Sequence, residues 1–317
     1  MNKKILLHIG YPKTATTTFQ EHVFKNLHQT GKINYLGRNS IKSNKFEGED
    51  YAIELRKKGL FDKSISCNYT LHPRLLNVIS DENLLMLNSI NKIQYKSESD
   101  WKHMLNTVFS LIEDFEIEIL VTLRKQSDLI FSLFVQKYKF LYAEKTGVNF
   151  ENFVFHEKSR VLKSEFDMYN FDELDDFLTS KNFKVNYLLF EDLYHDKSSI
   201  SSDLKNVLNQ KKGALNGYLD AQYRLKKIEN HKNLSYMVSV KKSILKHLFY
   251  QPKFNYISKN IFEKLVNRLL FRNYEKPIEK PSQNIIKNID KYFQYSNKRF
   301  FDRYPDLKER ANNYEYF

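Results

Sequence analysis

A short loop near the start of the chain combines residue types that bind phosphate groups. The segment Gly10–Thr18 follows the apolar run Ile5–Ile9 and contains one lysine, Lys13, with several threonines after it. The apolar run predicts a buried strand, and the helical spacing of apolar residues from Thr17 to Leu27 predicts a helix. The first N–H groups of a helix have no partner within it, and its dipole favours negative charge there. The sequence therefore predicts an anion-binding loop.

The lysine of this loop stands at an unusual place. In the common nucleotide-binding loop, G-x-x-x-x-G-K-[ST], the lysine directly precedes a Ser or Thr that holds Mg²⁺. Here Lys13 lies inside the loop, and Ala15 stands where the second glycine would be. Alanine has less backbone freedom than glycine, which matters if the loop needs a positive φ there.

Other polar residues follow predicted strands. Arg124, Glu82 and the pair Glu191-Asp192 each follow an apolar run. Ligands of open parallel sheets bind beyond the carboxyl ends of the strands, so we expect these residues to gather beside the loop. An arginine can bond two phosphate oxygens, and a carboxylate can take a proton from an attacking hydroxyl. Glu82 also fits the first turn of a helix. His8, inside the first strand, is predicted to be a packed core residue.

These motifs resemble the sulfotransferases that use 3′-phosphoadenosine 5′-phosphosulfate (PAPS), in particular bacterial members related to carbohydrate sulfotransferases. The sequence Pro12–Thr17 is similar to the 5′-phosphosulfate loop of that family. The step of eight residues from Arg124 to Ser132 is similar to its 3′-phosphate motif. Glu82 resembles the base of members that use a glutamate. The resemblance spans most of the chain and ends faintly at Tyr295–Lys298.

The resemblance implies a reaction and a set of ligands. PAPS would donate a sulfuryl group to an acceptor hydroxyl by direct in-line transfer, leaving 3′,5′-adenosine bisphosphate and needing no metal. Lys13 and Glu82 are the implied catalytic residues: Lys13 stabilises the leaving phosphate and Glu82 deprotonates the acceptor. Arg124 and Ser132 would bind the 3′-phosphate. Beside Lys13, the implied donor-binding residues are Pro12, Thr14, Ala15, Thr16, Thr17 and Thr18 in the loop and Lys232, Asn233 and Ser235 in a later segment.

Apolar runs and helical patterns alternate along the first two thirds of the chain. The predicted strands are 5–9, 33–37, 75–80, 117–123 and 184–190, and the predicted helices are 17–27, 101–113, 127–143 and 171–180. Such alternation predicts a parallel sheet. No clear strand follows about residue 200, where 238–250, 261–271 and 283–301 fit amphipathic helices. The predicted fold class is α/β: a P-loop-like parallel β-sheet flanked by helices, with a helical C-terminal third. We expect one domain over 1–317, with a donor-binding core over 1–200 and a helical part over 201–317.

Composition limits the partners. Lys and Arg total 51 against 38 Asp and Glu, and the net charge of +13 favours an anionic ligand. The single cysteine, Cys67, excludes an intramolecular disulfide and a cysteine metal cluster, and no metal-binding motif is visible. The first apolar run is too short for a signal peptide, and no run is long enough to cross a membrane. We therefore expect a cytoplasmic protein, whose contact with the inner membrane, if it makes one, is peripheral.

Two other functions stay open. A magnesium-dependent kinase or NTPase would need an aspartate at a strand end, and Asp81 is the nearest candidate. A nucleic-acid or membrane binder is suggested by the basic, aromatic stretch Lys241–Tyr250. The sulfotransferase resemblance favours a hydroxyl-bearing acceptor, a carbohydrate on a glycan or glycolipid, and no nucleic acid. A peripheral membrane contact is compatible with that activity.

Overall fold

The described strands of the first 209 residues form one all-parallel sheet with helices on both faces. The structure, a computed structural model, describes residues 4–37, 71–81, 84–85, 100–143, 149–155, 168–209, 236–239, 275–278 and 280–317. The sheet has five strands in the order β2-β3-β1-β4-β5. The strands are β1 Lys4–His8, β2 Ile33–Tyr35, β3 Leu76–Ser80, β4 Glu116–Leu123 and β5 Lys184–Leu189. The predicted α/β class with a parallel sheet is confirmed.

Helices connect and cover these strands. The first three helical segments follow one another without a break, and the middle one has the wider winding of a π-helix. The helices are α1 Thr16–Thr18, π1 Phe19–Phe24, α2 Lys25–Gln29, α3 Asp100–Leu111, α4 Gln126–Ala143, α5 Phe150–Phe155, α6 Phe171–Thr179, α7 Asp192–His195, α8 Lys197–Leu208, α9 Gln283–Phe301 and α10 Pro305–Asn313. The predicted helices of the first two thirds agree with α1–α2, α3, α4 and α6 to within about two residues, the usual uncertainty of helix ends.

Each face of the sheet packs against its own set of helices, because successive strand residues point to opposite faces. In β1, Leu6 contacts one apolar core, and its neighbours Ile5 and Leu7 contact the other. The Leu6 core is covered by π1, α2 and α8. The second core is covered by α3, α4, α6, α9 and α10. Burial on both faces explains why the central strands read as continuous apolar runs.

The C-terminal third contains both helices and strands. Helix α9 has the bounds predicted from the sequence. Two short strands, β6 (Tyr236–Ser239) and β7 (Glu275–Ile278), pair antiparallel in a separate sheet. The prediction of no strand after about residue 200 is therefore wrong, and so is the predicted helix at its first residues, Val238 and Ser239. The partner of β6 lies far away in sequence, so local periodicity could not reveal the pair. The predicted helix at 261–271 and Cys67 lie outside the described residues.

Helix α9 is fixed to the sheet by buried polar contacts as well as by apolar packing. Asn297 of α9 and Gln126, the first residue of α4, exchange two side-chain hydrogen bonds of 2.7 and 3.0 Å. Asn297 also donates to the carbonyl oxygen of Tyr316 over 2.8 Å. Ser296 donates a hydrogen bond to Asp172 of α6. These contacts place α9 beside the N-terminal end of α4, where β4 leaves the sheet.

Candidate anion-binding site

The carboxyl ends of β1 and β4 form the natural ligand site of this sheet. The two strands are neighbours, and the chain leaves β1 towards β2 on one side and leaves β4 towards β5 on the other. Ligands of open α/β sheets bind in the crevice where the connections diverge in this way. The loop that contains Lys13 follows β1, and Arg124 follows β4 directly. The topology therefore brings these two sequence-predicted residues to one crevice.

The loop after β1 has an alternating backbone. Lys13 and Ala15 adopt left-handed conformations, with φ of 66° and 60°, whereas Thr14 between them does not. Such alternation directs successive N–H groups into a concavity that binds anions. Thr14 Oγ1 donates to the Tyr11 carbonyl over 2.5 Å, and the Ala15 carbonyl accepts from the N–H of Thr18 over 2.8 Å. The loop thus needs a positive φ at Ala15, the position where the standard pattern has glycine.

The loop packs tightly against the start of the helix. A Cβ atom on Gly10 would lie 2.5 Å from Cγ2 of Thr16, so the close approach requires glycine. Pro12, Thr14, Thr16 and Thr18 are buried, and Lys13 and Ala15 are half-buried. Thr17 is the exposed threonine of the series. The exposure therefore makes Thr17 the accessible hydroxyl of the series and gives the buried threonines a part in holding the loop.

Arg124 joins the end of β4 to this loop. Its Nη1 donates to the carbonyl oxygen of Lys13 over 2.8 Å, and its guanidinium lies 4.3 Å from the ring centre of Phe190. Its Nε is buried and has no hydrogen-bond partner among the residues that the structure describes. Buried N–H groups are almost always paired, and a charged group without a partner is costly. This orphaned guanidinium N–H at the crevice makes Arg124 a candidate for binding an anionic ligand.

The hydroxyl of Ser127, three residues after Arg124, is a second buried polar group without a partner. Ser127 is only 3% exposed. The residue stands in the first turn of α4, where backbone N–H groups and the helix dipole favour an anion. The sequence patterns do not single out Ser127; its place three residues after Arg124, in the first turn of α4, is the available signal. Ser132, by contrast, is half-buried in the next turns of α4.

Two acidic residues after β5 serve the docking of the C-terminal helices. Glu191 accepts hydrogen bonds from the Tyr316 hydroxyl, 2.7 Å, and from the Lys125 backbone N–H, 3.2 Å. Burial raises the pKa of Glu191, while those hydrogen bonds and the charge of Arg124 oppose the rise. Asp192 is fully buried and pairs with Arg310 over 2.6 Å. Both carboxylates thus anchor the C-terminal segment to the site's edge.

A buried polar cluster lies beneath the loop. His8 bonds through Nδ1 to Ser80 Oγ over 2.7 Å and through Nε2 to Thr122 Oγ1 over 3.3 Å. Ser80 Oγ also accepts from the side chain of Gln20 over 3.0 Å. Burial lowers the pKa of His8 to about 3, so the ring is neutral. The prediction that His8 is a packed core residue is confirmed, and the ring ties β1 to both of its neighbouring strands.

Several predicted residues cannot be placed. Glu82, Lys232, Asn233 and Ser235 lie outside the described residues, and their roles stay predictions. Asp81, next to Glu82, is fully buried, and its N–H donates to the His8 carbonyl over 3.3 Å.

Among the described residues, no group of three or more His, Cys, Asp or Glu side chains is arranged to hold a metal ion. The described helices also include none with the length and apolar character needed to cross a membrane.

Comparison with known proteins gives no family for the chain. No model of a protein family matches it, and no curated protein sequence matches it significantly.

Proposed function

We propose that this protein is a sulfotransferase that transfers a sulfuryl group from PAPS to an acceptor hydroxyl, on a glycan or glycolipid. The observation that carries the proposal is the arrangement of Arg124. One of its nitrogen atoms holds the loop that contains Lys13, and another is buried without a partner. A donor with two separate phosphate groups needs two linked anion sites, and this arginine lies between them.

The residues at the crevice suit such a donor. The left-handed backbone at Lys13 and Ala15 and the exposed Thr17 would hold the 5′-phosphosulfate end. Arg124 and Ser127 offer buried polar atoms without partners for the 3′-phosphate, with Ser132 further along α4. Together these atoms account for both charged ends of the donor.

The proposed reaction is a direct displacement at sulfur. Glu82 takes the proton of the acceptor hydroxyl, whose oxygen forms the new bond to sulfur. The bond between sulfur and the bridging phosphate oxygen breaks, and its electron pair stays on that oxygen. Lys13 stabilises this charge, which is largest in the transition state. The products are a sulfate ester and 3′,5′-adenosine bisphosphate.

Calorimetry and a transfer assay test the proposal. The wild-type protein should bind 3′,5′-adenosine bisphosphate and transfer labelled sulfate from PAPS to an acceptor found by screening glycans. Lys13→Ala should lower kcat by about 10²–10³, as expected for removing a preorganised electrostatic group. Lys32→Ala removes an exposed lysine before β2 and serves as the control. Absence of nucleotide binding, or unchanged transfer by Lys13→Ala, would contradict the proposal.

The role of Glu82 is tested separately. Glu82→Gln keeps the size of the side chain but cannot accept the proton. We expect kcat to fall by about 10²–10⁴, the usual contribution of a general base, with little change in nucleotide affinity. Full turnover in this variant would remove Glu82 from the mechanism and leave the donor site intact.

Asp81 favours a second candidate, a magnesium-dependent nucleotide hydrolase or kinase. It is buried at the end of β3, which is the neighbour of β1 on the other side from β4. An aspartate in that place could hold Mg²⁺ beside the loop. Magnesium-dependent hydrolysis of ATP that is lost in Asp81→Asn, without affinity for 3′,5′-adenosine bisphosphate, would establish this candidate instead.

A further inference from the structure

The outer side of α9 carries a row of basic and aromatic residues. Lys287, Lys291, Tyr295 and Lys298 are all exposed, and we call them the α9 basic face. With 3.6 residues per turn, they lie within an arc of about 80° and extend over about 17 Å of the helix. The whole helix has four basic residues and one acidic residue, Asp290. The face therefore carries a concentrated positive charge.

The two acids on and beside α9 form their ion pairs with lysines outside this face. The carboxylate of Asp290 pairs with Lys125 over 3.3 Å, and that of Asp302, at the end of α9, pairs with Lys308 over 2.6 Å. Lys287 and Lys291 form no ion pair with any residue in the described part of the chain. Both side chains are exposed, so an external anion can reach them.

Exposed aromatic rings accompany the lysines. Tyr292 and Tyr295, 52% and 72% exposed, are the exposed large hydrophobic side chains of the described residues, and both belong to α9. Tyr295 lies beside Arg299, whose guanidinium is 5.7 Å from the ring centre. Arg299 is itself paired with Asp172 over 3.1 Å. Tyrosine rings with an apolar body and a polar tip suit the headgroup level of a membrane.

The orientation of the helix is fixed, so this face stays outside. Ile289, Phe293 and Phe300 on the opposite side of α9 are buried in the core. The apolar side is therefore not available for insertion into a bilayer, and contact with a membrane would rest on charge and on the tyrosines. The outer side of a single helix is convex, whereas single-stranded nucleic acid is bound in grooves that follow its backbone.

We propose that the α9 basic face docks on the anionic headgroup surface of a lipid bilayer. Each lysine near such a surface contributes favourable electrostatic free energy to binding, which salt weakens by screening. The tyrosines add contacts at the interface. The proposal is independent of the sulfotransferase activity. Membrane docking would nevertheless place the candidate anion-binding site near the bilayer. Asp290 and Asn297 of α9 contact the two residues that directly follow Arg124. The candidate site then lies next to the membrane-bound helix.

Vesicle flotation tests this proposal with the full chain. Vesicles of phosphatidylcholine with and without phosphatidylglycerol are compared at low and high salt. The wild-type protein should float only with the anionic vesicles and only at low salt. Lys287→Gln/Lys291→Gln should weaken the partition about thirtyfold, at roughly fivefold for each lysine near an anionic surface. Tyr295→Ala should weaken it further at unchanged net charge.

A matched variant separates this face from bulk charge. Lys32→Gln/Lys205→Gln removes the same charge from exposed positions, of which Lys205 belongs to α8 on the other side of the sheet. We expect this control to change the partition by less than about twofold, because neither lysine belongs to the α9 basic face and salt screens charges outside a contact. Equal losses in both double variants, or no binding of the wild type to anionic vesicles, would overturn the proposal.

Two further measurements complete the test. First, labelled single-stranded DNA and a labelled polyuronate are offered to the same variants. If either binds through α9 more strongly than the vesicles do, the face serves a different class of ligand and the proposal is overturned. Affinity for 3′,5′-adenosine bisphosphate should be the same in wild type and Lys287→Gln/Lys291→Gln. A fall in that affinity would show that the variant damages the site and that the loss of vesicle binding has another cause.

Discussion

Replacement of Arg124 by lysine separates the two tasks of its guanidinium group. Nη1 holds the Lys13 carbonyl over 2.8 Å, while Nε is buried without a partner. A lysine keeps the positive charge but has one nitrogen atom, which can reach the loop or the ligand but cannot reproduce both contacts. Arg124→Lys should therefore bind 3′,5′-adenosine bisphosphate more weakly than the wild type.

The size of the effect follows from the bond that is lost. A hydrogen bond from a charged donor to a phosphate oxygen contributes about 1.5–3 kcal/mol. The dissociation constant should rise by about 10- to 150-fold. Loss of the contact with Phe190 should lower stability by no more than about 1 kcal/mol, so the folded state should persist.

Calorimetry with two nucleotides locates the contact. Arg124→Lys is titrated with 3′,5′-adenosine bisphosphate and with adenosine 5′-monophosphate, which lacks the 3′-phosphate. The variant should bind the bisphosphate only slightly more tightly than the monophosphate. Its affinity for the monophosphate should be close to that of the wild type. Arg74→Lys, at an exposed arginine before the amino end of β3, is the control. Equal losses for both nucleotides would mean that Arg124 acts only through the loop, and unchanged affinities would refute the reasoning altogether.

Three further variants examine the loop and the core beneath it. Ala15→Gly should stabilise the protein by about 0.5–1 kcal/mol in urea unfolding, because glycine adopts a positive φ without the cost that alanine bears; lower stability would show that the methyl group packs usefully. Ser127→Ala should raise the free energy of unfolding slightly, since it removes a buried hydroxyl that has no partner, but should weaken 3′,5′-adenosine bisphosphate binding about fivefold or more in calorimetry; unchanged binding would exclude Ser127 from the site. Burial lowers the pKa of His8 from 6.5 to about 3. The neutral ring therefore stabilises the folded protein fully above pH 6.5, and this part of the free energy of unfolding, at most about 4–5 kcal/mol, is lost as the pH falls towards 3. His8→Gln lacks this dependence, so the stability gap between wild type and variant should narrow from neutral to acid pH, and a constant gap would contradict the burial argument.

The sheet was predictable because its signals are local. Each central strand is buried on both faces, so it reads as an apolar run, and the polar residue that ends it marks the ligand edge. The positions of Lys13 and Arg124 at one crevice follow from that pattern. The strands β6 and β7 were missed because each is four residues long and depends on a distant partner.

The finer features of the site depend on tertiary contacts that no local pattern contains. The sequence shows a serine three residues after Arg124 but not that the hydroxyl of Ser127 is buried without a partner. It shows an acidic pair after β5 but not that Glu191 binds the hydroxyl of Tyr316, more than a hundred residues later. Such pairings arise only when the fold brings distant segments together, so they were open until the structure was known.

The hydrogen bond from Arg124 to the Lys13 carbonyl stabilises the unusual backbone conformation of the loop. Two residues other than glycine in left-handed conformations cost about 2–4 kcal/mol together, and a free loop would relax to avoid that cost. Here the Lys13 carbonyl is held by Arg124, and Thr14 is tied to the Tyr11 carbonyl. The same arginine thus holds the loop in this conformation, and its Nε is the nitrogen that we assign to a ligand in the proposed function. In the proposed donor complex, a phosphate group on Arg124 would also tighten the loop, because both contacts belong to one side chain. The contact with Lys13 offsets part of the cost of a left-handed alanine at position 15.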